Sequence, residues 1–151
     1  MRMCLLFLMG LVFGCSSYPI ASKYSYSDPE VDELYKEIFE NPDVAPKYEF
    51  VEFTKQFKNT RGMYHQGHIY INQEKWNKSS SSVKRFIVLH ELGHWAMYPH
   101  RDYEYCLEKV DLMCPSVSLV QERIEKSPLD YEKAFILDLK QSIKLEMYGQ
   151  D

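Results

Sequence analysis

Residues 86–100 read Phe86-Ile87-Val88-Leu89-His90-Glu91-Leu92-Gly93-His94-Trp95-Ala96-Met97-Tyr98-Pro99-His100, and the fold turns on how this stretch is placed. The Phe86 to Leu89 run is apolar all round, and the serines at 79–82 ahead of it offer N-caps. Together they predict a helix from about Val83 to Met97, buried in the centre of its domain. Within it, the four-residue spacing of His90 and His94 puts both imidazoles on one face, about 5–6 Å apart at Cβ and close enough to share one ion. Glu91 sits one position round the helix, where it can reach a water on such an ion without ligating it, as a general base must. A buried helix carrying His, Glu and His with no ion would leave three polar groups to satisfy in an apolar interior.

Downstream, His100 follows His94 by six residues, and Leu112-Met113-Cys114-Pro115 places a methionine thirteen residues after His100. Residues 100–118 show no periodicity and hold both Cys106 and Cys114, which predicts an irregular, cross-linked loop. Ser127-Pro128 then gives a cap-and-proline start to a closing helix whose buried stripe is Phe135, Ile136, Leu139, Ile143 and Met147. Upstream, Asp28-Pro29 opens a helix with Val31, Leu34, Tyr35, Ile38 and Phe39 on one face, stopped at Asn41-Pro42. Tyr48 to Thr54 alternates as a half-buried strand, and His68 to Asn72 forms a second one after Gly67. The fold class is therefore α+β.

The chain has 151 residues, 45% hydrophobic and 26% charged, too apolar for a disordered segment. Its formal charge of -4 comes with scattered Lys and Arg, which excludes a surface built to track a phosphate backbone and makes nucleic acid no partner. At the other end of the chain, Met1-Arg2 and the apolar run from Met3 to Gly14 are too short to span a bilayer as a helix and suit a signal-peptide core. The run ends in Val12-Phe13-Gly14-Cys15-Ser16-Ser17, which resembles the lipobox of bacterial lipoproteins. That resemblance implies removal of residues 1–14, lipid on Cys15, and an extracytoplasmic protein anchored to a bacterial membrane, the outer membrane or the periplasmic side in a Gram-negative cell. A secretory signal without lipid is the alternative. Residues 15–27, rich in Ser and Tyr, read as the lipidated cysteine and a tether, and 28–151 as a single domain. With Cys4 removed and Cys15 lipidated, Cys106 and Cys114 are the thiols left, and export favours their pairing.

The spacing His-Glu-x-x-His-x-x-x-x-x-His followed by a methionine segment resembles the metzincin clan of zinc peptidases. The resemblance covers about Gly67 to Ser118. It implies a zincin fold: a small mixed sheet whose edge strand, matched in order by Gly67 to Asn72, lies over a central active-site helix, with a turn around a methionine and a C-terminal helix. Carried over by position, His90, His94 and His100 are implied as Zn2+ ligands, Glu91 as general base and Met113 as the methionine of the turn. The clan usually has Gly three residues after the second histidine, where this chain has Met97. The turn is therefore expected to be made differently, with Pro99 stopping the helix.

The resemblance implies a zinc-dependent endopeptidase that acts on protein or peptide substrates, with Glu91 taking the proton of an activated water. Two other readings stay open at this point. Glu108, Glu122 or Glu125 could replace His100 as third ligand, or the metal could be structural in a non-catalytic lipoprotein. Tyr98, Tyr103 and Tyr105 are nearby hydrogen-bond donors, and Asp102 a nearby carboxylate, that could serve the same site. The anchoring expectation is checked by Cys15→Ala, which should shift the protein out of the detergent-extracted membrane fraction; unchanged partitioning after correct signal removal would count against lipid on Cys15.

Overall fold

Asp28 does the capping that its sequence position promised: Oδ1 accepts from the Glu30 amide at 3.0 Å and starts helix α1, Pro29–Ile38. Its second oxygen takes the indole N–H of Trp76 at 2.9 Å, and Tyr48 donates to Asp32 at 2.7 Å, so α1 is tied to two distant segments at once. The computed structural model describes residues 20–24, 27–54, 57–109, 111–126 and 130–148. The signal segment 1–14 and the lipidation candidate Cys15 lie outside the described residues.

Four strands form one mixed sheet: β1 (Ile20–Tyr24), β2 (Lys47–Phe53), β3 (Gly62–His65) and β4 (His68–Asn72), in the order β1-β2-β4-β3. β2 and β4 run parallel, with Lys47 opposite His68, and the other two pairings are antiparallel. Two expectations change here. Ile20–Tyr24, read as part of a tether, pairs with β2, whose free edge would otherwise present unpaired backbone groups. The segment expected to be the edge strand is interior. Gln66 (φ 49°) and Gly67 (φ 80°) make a two-residue turn with both central residues left-handed, which folds the short β3 back onto the outer side of β4. β3 is thus the edge, and its four residues are too few to show an alternation in the sequence.

Behind the sheet runs α3, Ser81–Trp95, in contact with β3, β4, α1 and the later helix α5, Val117–Lys126. Val83, Phe86, Ile87, Val88, Leu89 and Leu92 of α3 are all buried, as a helix apolar all round requires, and they close over Phe50, Ile69 and Ile71 from the sheet. Each such side chain contributes roughly 1.5–3 kcal/mol by leaving water. Asn72 is buried but fully engaged: its amide donates to the Thr60 carbonyl at 2.9 Å, and its oxygen caps the short helix α2, Gln73–Asn77, at the Lys75 amide. The stretch after His100 is more regular than its sequence suggests. It contains helix α4, Tyr103–Glu108, and then α5, whose Val117, Val120 and Ile124 point inward. The disulfide Cys106–Cys114 joins α4 to the turn that precedes α5. Helix α6, Asp130–Tyr148, closes the chain with Ile136, Leu139 and Ile143 buried.

The end of α3 overturns the expectation that Met97 would force a different turn. Met97 itself takes the left-handed conformation, φ 64°. Tyr98 N–H bonds back to the Gly93 carbonyl at 2.8 Å and Met97 N–H to the His94 carbonyl at 3.1 Å, the paired bonds of a Schellman end. The two bonds satisfy orphan carbonyls, and the Met97 side chain, 81% exposed, meets water rather than neighbours. Those gains offset a backbone cost of about 1–2 kcal/mol. Met97→Gly should therefore raise stability by about 1 kcal/mol. The check is a higher urea midpoint at unchanged slope; an equal or lower midpoint would show that this turn carries no strain.

Candidate metal centre

α3 supplies His90 and His94 one turn apart, and the Schellman end swings the chain back so that His100 meets them. Their Nε2 atoms form a nearly equilateral triangle, with His90 to His94 at 3.2 Å, His94 to His100 at 3.0 Å and His90 to His100 at 3.2 Å. A tetrahedral ion with Zn–N bonds of 2.0–2.1 Å holds its nitrogens about 3.3 Å apart, so the triangle has the size of one face of such a site. Among the described residues these three are the group whose donor atoms converge within 4.8 Å, and they could hold a metal ion.

Ring orientation comes from the backbone. His90 Nδ1 lies 2.6 Å from the Leu112 carbonyl and His94 Nδ1 lies 3.2 Å from the Tyr98 carbonyl. A carbonyl can only accept, so the proton of each ring belongs on Nδ1 and the Nε2 lone pair faces the common point. Burial pushes the His90 imidazole down to about 4, with the Leu112 carbonyl opposing, and His94 is lowered by burial and by His100. Neutral rings are what a metal ion needs. The Nε2 lone pairs of His90 and His94, 3.2 Å apart with no proton between them, repel, and a cation between them would remove that conflict.

Glu91 is 5% exposed and does not join the triangle. Its Oε2 accepts the Tyr64 amide of β3 at 2.7 Å, and burial raises the carboxyl to about 8 while that amide pulls it down. β3 can pass this close only because residue 62 is glycine: a Cβ there would stand 2.8 Å from Glu91 Oε1 and 3.0 Å from Ile87 Cγ2. Met113, 2% exposed, lies under the helix with its sulfur against Gly93, and a Cβ at Gly93 would overlap that sulfur.

A second set of contacts joins the Met113 turn to the segment carrying His100. Asp111 accepts from the Met113 amide at 2.8 Å and from Arg101 Nε at 2.9 Å, while the Arg101 amide donates to the Met113 carbonyl at 2.9 Å. The residues on either side of Leu112 are thus tied to the residue after His100. Sequence reading missed Gly62, Gly93, Asp111 and the two carbonyls. Glycine spacing within the motif was the single available hint, since a carbonyl leaves no trace in composition.

The alternative ligands lie elsewhere. Glu122 pairs with Lys126, Glu125 accepts from Ser80 and Gln121, and Glu108 is exposed at the end of α4. Tyr98 donates its hydroxyl toward Asp138 on α6, Tyr105 lies beneath Arg101 and Lys109, Tyr103 is 58% exposed, and Asp102 is exposed ahead of α4.

These positions give a metal-binding expectation. His100→Ala should weaken zinc binding by at least about tenfold, because two histidines from one helical turn do not complete a site. Glu122→Ala and Glu125→Ala should leave it unchanged. Zinc content of the three purified variants checks this, and full occupancy in His100→Ala would overturn the assignment. Comparison with family profiles, with curated proteins and with solved structures returns no match.

Proposed function

We propose that this protein is a zinc-dependent endopeptidase of metzincin-like design, carried outside the cytoplasm on a lipidated Cys15. The observation that carries the reading is the convergence of His90, His94 and His100 beside a buried carboxylate that is not one of them. A closed structural site has no use for such a neighbour, whereas hydrolysis does. Imidazole nitrogens in a tetrahedral-sized triangle favour zinc among the common ions. Zinc, when bound, would supply Lewis acidity toward a substrate carbonyl and toward water.

The chain's own groups account for the remaining steps. Glu91 is fixed at one oxygen by the Tyr64 amide, which leaves the other to take a proton from the attacking water and return it to the departing amine. Burial raises the affinity of this carboxylate for a proton, which favours the step in which Glu91 takes it from the water. The site opens into a cleft of about 470 Å³, lined on one side by Gly62, Met63 and Tyr64 of the edge strand and on the other by residues 114–118. That volume takes a few residues of extended chain. No helix among the described residues is long and apolar enough to cross a membrane.

Glu91→Gln should keep about one zinc per chain while lowering turnover on an unfolded protein by a factor on the order of 10² to 10⁴. Chelation should abolish the wild-type cleavage and added zinc restore it. Lost metal in a folded Glu91→Gln protein would make Glu91 a ligand, and chelator-insensitive cleavage would end the metallopeptidase reading.

A further inference from the structure

Among the described residues, the charged side chains lining the cleft besides the histidines and Glu91 are both cationic: Arg61, immediately before β3, and Lys75, on α2. Among the described residues Glu91 is the one carboxylate in that lining. Arg61 is half-buried, and its guanidinium has neutral oxygens for partners, Ser79 Oγ at 3.1 Å and Gln121 Oε1 at 3.5 Å. Ser79 in turn donates to the Lys75 carbonyl at 2.8 Å, which holds the two cationic residues on one support. Of the neighbouring carboxylates, Glu74 pairs with Lys78 at 2.7 Å and also lies in the field of Lys75, while Glu125 accepts from Ser80 and Gln121.

A guanidinium offers five donors in a planar fork, and here, among the described residues, two contacts with neutral groups leave the half-buried charge without an anionic partner. Such a charge is costly to keep unless an anion meets it, and the planar bidentate partner it fits best is a carboxylate. We propose that Arg61, supported by Lys75, forms a carboxylate-binding subsite of the cleft, so that favoured peptides carry an acidic group a few residues from the bond lying over the histidines. This deepens the peptidase reading and rests on it. The carboxylate has two sources, a Glu or Asp side chain or the C-terminus of the peptide.

Matched peptides separate the sources. One set carries Glu or Gln at successive positions around the cleaved bond with an amidated C-terminus, and the other ends in a free acid with no internal acidic residue. Zinc-loaded wild type should prefer a carboxylate in one of the sets by at least about tenfold in kcat/KM, and rising salt should reduce the preference. Arg61→Gln should erase it, and Arg61→Lys should retain part of it because the charge persists. The same peptides, fluorescently labelled, are titrated against zinc-loaded Glu91→Gln protein by anisotropy, which reads binding without turnover. Cleavage with no carboxylate preference in either set, or a preference that survives Arg61→Gln in a folded, zinc-containing protein, overturns the subsite. Carboxylate-dependent binding lost in Arg61→Gln, with cleavage of no peptide by wild type, upholds the subsite and sinks the peptidase reading; neither binding difference nor cleavage sinks both.

Discussion

The 2.6 Å hydrogen bond between His90 Nδ1 and the Leu112 carbonyl spans 22 residues, and the geometry of the three-histidine cluster depends on it. It fixes which nitrogen of His90 carries the proton and so which one is offered to a metal ion. Leu112 can serve this way because its turn is held on three sides. Met113 fits beneath Gly93, Asp111 bonds the Met113 amide, and Cys114 is joined to Cys106. Each of these contacts acts on the imidazole through one carbonyl, so groups that never approach the ion set its surroundings.

The same arrangement makes the second half of the site a consequence of how a helix ends. His94 is oriented by the carbonyl of Tyr98, four residues on, and that carbonyl is in reach because the chain turns left-handed at Met97. His100 then returns on the far side of the turn. A helix that continued for one more turn would have lost the orienting carbonyl and the third imidazole together. Glycine at positions 62 and 93 completes the picture from outside, since each lets a neighbour approach the helix at a distance that any side chain would forbid.

Much of this was legible in the sequence, and the part that was not has physical reasons. The capped start of α1, the strand His68–Asn72 and the buried run of α3 carry strong local signals, because cap chemistry and apolar periodicity act within a few residues. The pairing of His90 with His94 was legible from helical spacing in a buried run, and the approach of His100 from the resemblance that its position carries. The strand β3 was not, since its identity as the edge comes from a two-residue turn with no asparagine or aspartate in it, and its importance comes from a missing Cβ. α5 is faint in the sequence although Val117, Val120 and Ile124 keep helical spacing, because it starts inside the aperiodic 100–118 stretch and three apolar positions in ten residues make a thin stripe. The strand at Ile20–Tyr24 depends on what β2 leaves open, which composition does not encode.

The three histidines lie within eleven consecutive residues, so a metal ion bound by them would act on the molecule locally. An ion held by ligands so close in sequence closes a short loop and restrains little of the unfolded chain. Its binding energy is delivered to the end of α3, the Met97 turn and, through Leu112, the disulfide-linked segment that follows. The mixed sheet and the packing of α1 against α3 stand without it, built from Phe50, Ile69, Ile71 and Leu34. Removing the ion should therefore speed amide hydrogen exchange in residues 94–114 and leave β2 and β4 protected, so that the protein loses its centre as a local opening and keeps its fold.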